Sequence, residues 1–293
     1  MKTIPELSDW ALELIRLAST RLPADIRESL AKGRASEVEN SPAAATLGTI
    51  LENIDLAEKL STPICQDTGT PVFYVQHPWD FPAAQFKAAF TEAVKVATTK
   101  NYLRPNAVDS ITGKNSGDNT GDHFPAVYFE QWDREDEVRV DLMLKGGGSE
   151  NTGAQYALPH AGLGAGRDLD GVRKVILDAV VNAQGKGCGP AVLAVCIGGD
   201  RSSGYALAKK QILRPLGDKN PDPVLAALED EITEKANSLG IGPMGFGGMT
   251  TVLGTKITSA HRVPASFFVS IIYMCWAARK QAMIIRGGEV SYD

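Results

Sequence analysis

Glycine clusters set directly behind apolar runs constrain this chain more than any other feature. Gly146-Gly147-Gly148 follow Val138 to Leu144, Gly198 and Gly199 follow Ala191 to Ile197, and a third group lies between Gly240 and Gly248. A glycine-rich turn at a strand end bares backbone N–H groups and lets a ligand approach the main chain, which suits an anion such as a carboxylate or phosphate. Tight turns alone are the simpler reading of any one cluster, but three at strand ends favour a binding site. None follows G-x-G-x-x-G in a strand-to-helix setting, and no G-x-x-x-x-G-K-[ST] loop occurs, so the common nucleotide-binding motifs are absent. The surplus is real: 29 of 293 residues are glycine, against a typical share of about 7%.

The apolar pattern predicts a mixed α/β fold in a single domain, 1–293, with a helical N-terminal part (about 1–100) packed on a mixed-sheet region (about 101–293). Trp10, Leu12, Leu14, Ile15 and Leu17 repeat at the helical period, with Ser8 as the expected N-cap. Thr46 to Leu60 and Ala83 to Thr98 follow the same period, while Cys65 to Pro71 interrupts it with turn residues before a short strand at Val72 to Val75. Strands are expected at Ala126 to Phe129, Val138 to Leu144, Val252 to Ile257 and Phe267 to Tyr273. The unbroken apolar run Ala191 to Ile197 reads as a central strand. Helices are expected at Val172 to Ala183, at Tyr205 to Leu213, and from the Asp222 cap with Pro223 at its first position to Gly240. Arg286-Gly287-Gly288 reads as the start of a polar tail.

Charge and cysteine content narrow the class. Thirty Lys and Arg against 35 Asp and Glu leave a net charge of −5, which argues against nucleic-acid binding. No apolar run approaches the roughly 18 residues of a membrane span, and the start MKTIPELSDW lacks a signal-peptide layout. Four cysteines are too few for a disulfide scaffold in a chain this long, so reduced thiols and a cytoplasmic location are expected.

Those cysteines, Cys65, Cys188, Cys196 and Cys275, form no C-x-x-C pair, so a zinc ribbon or redox dithiol is not expected. Cys196 lies inside an apolar strand and reads as a small buried hydrophobe. The other three sit at turns or run ends, and converging thiolates there would suit an iron–sulfur cluster; buried structural cysteines are the alternative.

Five segments in order, Cys65 to Pro71, Lys145 to Asn151, Cys188 to Gly199, Gly240 to Gly248, and Cys275-Trp276-Ala277-Ala278-Arg279, resemble the alpha subunit of iron–sulfur hydro-lyases of the class I fumarase and L-tartrate dehydratase type. The resemblance implies a 4Fe-4S cluster held by Cys65, Cys188 and Cys275, with one iron open as a Lewis acid. It also implies that Gln66 and Asp67 contact the substrate, that Arg104 pairs with a carboxylate, and that Gly146, Gly147 and Gly148 line the pocket. The implied reaction is reversible hydration of a dicarboxylate, fumarate to (S)-malate first, with L-tartrate or mesaconate as alternatives. A non-catalytic iron–sulfur protein is the alternative of another class.

One position departs from the family pattern. Where single-chain relatives carry a substrate-contacting His, this chain has Val263, with His261 two residues earlier. Nothing after Gly288 resembles the further domain that supplies the proton-abstracting group in those relatives. The resemblance therefore implies a separate beta subunit carrying the general base, in an assembly of two alpha and two beta chains.

Overall fold

The computed structural model describes residues 4–293; Met1 to Thr3, the start of the stretch read for a leader sequence, lie outside the described residues. Along the chain come helices α1 (Ile4–Thr20), α2 (Ala24–Ser36) and α3 (Pro42–Leu60), then β1 (Thr70–His77), α4 (Ala83–Thr99), β2 (Ala126–Gln131) and β3 (Glu137–Lys145). There follow a single turn α5 (Gly147–Glu150), β4 (Ala154–Ala157), α6 (Leu169–Ala183), β5 (Ala191–Gly198), α7 (Arg201–Gln211) and α8 (Pro223–Ser238). Four strands close the chain: β6 (Val252–Ala260), β7 (Phe268–Met274), β8 (Lys280–Arg286) and β9 (Glu289–Tyr292).

This mixed α/β chain divides into two compact units, each built from separated stretches. The first comprises the N-terminal residues through Pro23, Glu52–Gly147 and Arg279–Asp293; the second comprises Ala24–Leu51 and Gly148–Ala278.

In the first unit a five-stranded sheet runs in the order β2-β1-β3-β8-β9. β1 is parallel to β2, and the remaining neighbours are antiparallel. Strand alternation puts Phe73 and Val75 of β1 on one face, where Val140, Leu142 and Leu144 of β3 join them in the core. Helix α4 meets that face with Phe86, Phe90, Ala93, Val94 and Ala97, a stripe at helical spacing, and Phe90 stacks on Phe73 with ring centroids 4.4 Å apart. Helix α1 packs along α4 through Leu7, Ala11, Leu14 and Ile15.

The second unit is organised around β5, every residue of which is buried. Its sheet runs β4-β7-β5-β6, with β5 parallel to β6 and antiparallel to β7. Leu193, Val195 and Ile197 face the core formed with α6 and α8, while Cys196 takes the alternate orientation. Immediately after α2, the Glu37 carboxylate accepts the backbone N–H groups of Met249 and Thr250, the latter at 2.7 Å, and so holds the chain entering β6.

Four local expectations need correction. Ser8 is no cap: α1 already begins at Ile4, with Pro5 in its first turn, and Ser8 is buried inside the helix. Helix α2 was not anticipated, because only Ile26, Leu30 and Gly33 form its narrow buried stripe. Helix α7 starts earlier than the apolar pattern suggests, since Asp200 and Ser203 form a capping box ahead of it. Arg286-Gly287-Gly288 is not a tail but the turn of the β8–β9 hairpin, where both glycines take positive φ (58° and 84°), the geometry that tight two-residue hairpins require. Among the described residues, no helix is long and apolar enough to cross a membrane.

Candidate functional site

In the first unit the site begins where α3 ends. The backbone just before Cys65 is pinned on both sides: Ile64 N–H donates to the Ser19 carbonyl at 3.0 Å, and Asn53 Nδ2 donates to the Ile64 carbonyl at 2.8 Å. Cys65 is half-buried and Gln66 exposed. Asp67 then turns the chain, its Oδ1 accepting Gly69 N–H at 3.2 Å and its Oδ2 accepting Gly147 N–H at 2.8 Å. Gly69 must be glycine: its φ is +79°, and a Cβ there would stand 2.6 Å from the Lys145 carbonyl carbon.

Thr68, inside the Cys65–Pro71 segment, and Asn119, outside every motif, hold the next predicted residue. The buried Thr68 Oγ1 accepts the Arg104 backbone N–H at 2.9 Å and Asn106 Nδ2 at 3.1 Å. Asn119, fully buried, donates Nδ2 to the Arg104 carbonyl at 2.6 Å and accepts Asn106 N–H through Oδ1 at 2.6 Å. The main chain of Arg104 is fixed on both sides while its side chain is exposed.

The strand β3 ends in the glycine loop. Lys145 and Gly146 are buried and Gly147 is exposed, its N–H already given to Asp67. Gly148, also exposed, belongs to the second unit, where the nearest atom to its Cβ position is the Lys186 carbonyl oxygen, 3.9 Å away. Arg279 lies in the first unit beside Gly146. Its carbonyl accepts Leu144 N–H at 3.0 Å, its side chain is 1% exposed, and its Nε and Nη1 have no hydrogen-bond partner.

The second unit brings Cys188 and Cys275 to one end of its sheet. Because β5 and β7 are antiparallel with Val192 opposite Met274, the residues before β5 and after β7 are neighbours. Trp276 N–H donates to the Cys188 carbonyl at 3.1 Å, and Cys188 itself takes φ +54°, a left-handed cap closing the turn Gln184–Gly187. The Tyr273 phenol is pushed up to about 12, first by burial and then by the nearby charges of Cys275 and Cys188. Two thiols thus share the surroundings of one phenol. Cys196 is apart in character: it is fully buried, and burial pushes its thiol up to about 11, so it stays protonated in the core.

His261 and Val263 are exposed in the loop between β6 and β7. His261 lines a cavity of about 480 Å³ with Gly198, Ser259, Arg262 and Phe267. Arg262 is committed to that loop, stacked on Phe267 with Nη1 donating to the Ser266 carbonyl at 3.0 Å. Among the described residues, no group of three or more His, Cys, Asp or Glu is gathered to hold a metal ion.

Residues 8–284 match the fumarate hydratase (Fumerase) family. The chain belongs to that family. Every site residue named above lies within the matched stretch. A family relative from Geobacillus stearothermophilus, named "Putative fumarate hydratase class I", is 52% identical over 94% of this chain and 54% of its own length. The chain therefore spans about half the length of that relative. A protein of Methanocaldococcus jannaschii named "Putative L(+)-tartrate dehydratase subunit alpha" is 36% identical over 94% of this chain and 96% of its own. The L(+)-tartrate dehydratase subunit alpha of Escherichia coli K12 is 30% identical over 97% of this chain and 92% of its own length.

Within the family frame, Asp67 and Gly147 are joined directly, and Cys188 and Cys275 share one sheet end, whereas Cys65 lies in the other unit. Thr68, Asn119 and Arg279 escaped the sequence reading. Arg279 left a trace as the last residue of the Cys275 motif and Thr68 as a member of the Cys65–Pro71 motif, whereas Asn119 left none.

Proposed function

We propose that this chain is the cluster-binding alpha subunit of a hydro-lyase that reversibly hydrates a dicarboxylate, with fumarate and (S)-malate as the leading pair and 1–293 acting as one subunit domain. The observation that carries this reading is the 52% identity to the relative named as a class I fumarate hydratase. The two relatives named as alpha subunits support a beta-subunit partner and keep L-tartrate as the second substrate reading. A cytoplasmic location fits the four free cysteines.

The donor set fits an iron–sulfur group. Cys65, Cys188 and Cys275 are free of disulfides and stand outside helix and strand, in the α3–β1 loop, just before β5 and just after β7, and a buried guanidinium with unpaired donors is a natural companion of an anionic site. A cluster asks for thiolates on separate irons, a looser arrangement than the ligand shell of a single ion. In this reading the three cysteines hold a 4Fe-4S cluster, which when bound supplies an open Lewis-acidic iron for the substrate hydroxyl. Gln66 and Asp67 contact the substrate beside it, and Arg104 pairs with a carboxylate. Gly146, Gly147 and Gly148 keep that wall free of side chains; because Gly147 N–H is bound to Asp67, its contribution is to fix that carboxylate. The proton-abstracting base comes from the beta subunit.

Anaerobic reconstitution with iron and sulfide tests the cluster: the expected result is broad visible absorption, and a colourless protein with all thiols reduced would sink the reading. Turnover of fumarate, L-tartrate and mesaconate by the chain with its partner subunit separates the substrates.

A further inference from the structure

The guanidinium of Arg279 is the largest side chain among those almost wholly buried, and among the described residues it is the one cation whose buried donors lack partners. Nε heads the side edge of the planar guanidinium and Nη1 its end edge, so each fork has a donor left over. No carboxylate forms an ion pair with it among the described residues. A buried charge without a counter-charge is strongly disfavoured, because it loses hydration and recovers nothing.

Its neighbourhood indicates what the missing partner is. A Cβ built on Gly146 would stand 3.5 Å from Arg279 Nη2 and 3.0 Å from Asp67 Oδ2, so the missing side chain of Gly146 leaves an open space that both the guanidinium and the Asp67 carboxylate border. Both oxygens of Asp67 are engaged, by Gly69 N–H and Gly147 N–H. Asp67 is thereby held near the arginine by backbone donors, without a hydrogen bond or ion pair to it.

We infer that Arg279 is a carboxylate receptor, taking one carboxylate of the dicarboxylate on the Gly146 side of its guanidinium. This rests on the substrate class proposed above, and adds a second cationic contact to that of Arg104. Planar guanidinium forks match carboxylate oxygens two for two, which makes a carboxylate a better partner than a spherical anion.

The test uses the full chain, kept anaerobic, with and without reconstituted cluster, and succinate as an unreactive dicarboxylate probe. In wild type, succinate should raise the melting temperature saturably in at least one form. Arg279→Met should fold with a melting temperature no lower than wild type, since it removes an uncompensated buried charge, and should weaken succinate affinity by about tenfold or more. Arg279→Lys should retain part of the shift. Three results would each overturn the inference: a succinate shift unchanged in Arg279→Met, a wild-type chain with no shift in either form, or an Arg279→Met chain that loses cluster colour while keeping its succinate shift. If Arg279→Met does not fold, the affinity of Arg279→Lys decides, and wild-type affinity there overturns it. A colourless wild-type chain would instead count against the cluster and leave the succinate result standing.

Discussion

Asp67 Oδ2 accepts the Gly147 backbone N–H at 2.8 Å, tying the turn that carries Cys65 to the glycine loop at the end of β3. The two segments are far apart in sequence, and one carboxylate fixes their register. Its other oxygen closes its own turn on Gly69.

Asp67→Ala removes both acceptors and should destabilise the chain by roughly 1–3 kcal/mol, the usual cost of leaving hydrogen-bond donors without partners. Activity with the partner subunit should fall to a small fraction of wild type. Urea denaturation reads the first effect and steady-state turnover the second; Asn at this position, with one carbonyl oxygen, should recover part of the stability.

Thr68→Val keeps the shape of the side chain and deletes the oxygen that receives Arg104 N–H and Asn106 Nδ2. The expected loss is about 1–3 kcal/mol of stability. Because Arg104 would then be less firmly held, KM for the diacid should rise more than kcat falls. Equal effects on both would argue that Arg104 binds nothing.

Cysteine replacements should sort the four thiols into two kinds. Cys188→Ser should abolish retention of iron and visible absorption. Cys196→Ser should leave both intact and lower stability by roughly 1–3 kcal/mol, because it buries a hydroxyl in an apolar strand. Iron content and melting temperature of the two variants, measured side by side, check this.

Alkaline pH should weaken the fold through the same buried thiol. Cys196 is raised from 9.0 to about 11 by burial. Below pH 9 folded and unfolded chains both keep the proton. Above it the unfolded chain ionises first, so stability falls with rising pH until the folded thiol follows near 11. Cys196→Ala should flatten the melting temperature against pH between 9 and 10, before the raised phenol of Tyr273 adds its own loss from pH 10 upward.

Local signals carried much of the fold. The β5 run, the Asp222 and Pro223 start of α8, and the Val138 to Leu144 strand ending in glycines all appear where the pattern placed them, because each depends on neighbours a few residues away. Failures came where distant chain sets the outcome. Helix α2 is held by a slim stripe and by Glu37 reaching Met249 and Thr250. The β8 strand forms because β3 lies beside it, which no periodicity within Lys280–Arg286 announces. At the site, glycines and cysteines are legible since few other residues serve there. Thr68 and Asn119 look like ordinary polar residues until their backbone partners arrive from elsewhere in the chain.

The position of β8 between β3 and β9 imposes an order of assembly during synthesis. The first unit begins with α1 but cannot pair the free edge of β3 until Lys280–Tyr292 has left the ribosome, after all of the second unit's residues have been made. Through most of translation that edge is an open row of backbone donors and acceptors, the kind of surface that recruits foreign strands. Shortening the chain at Ala278 would therefore leave a lasting aggregation edge, and with it would go Arg279, the residue whose buried charge faces the glycine loop.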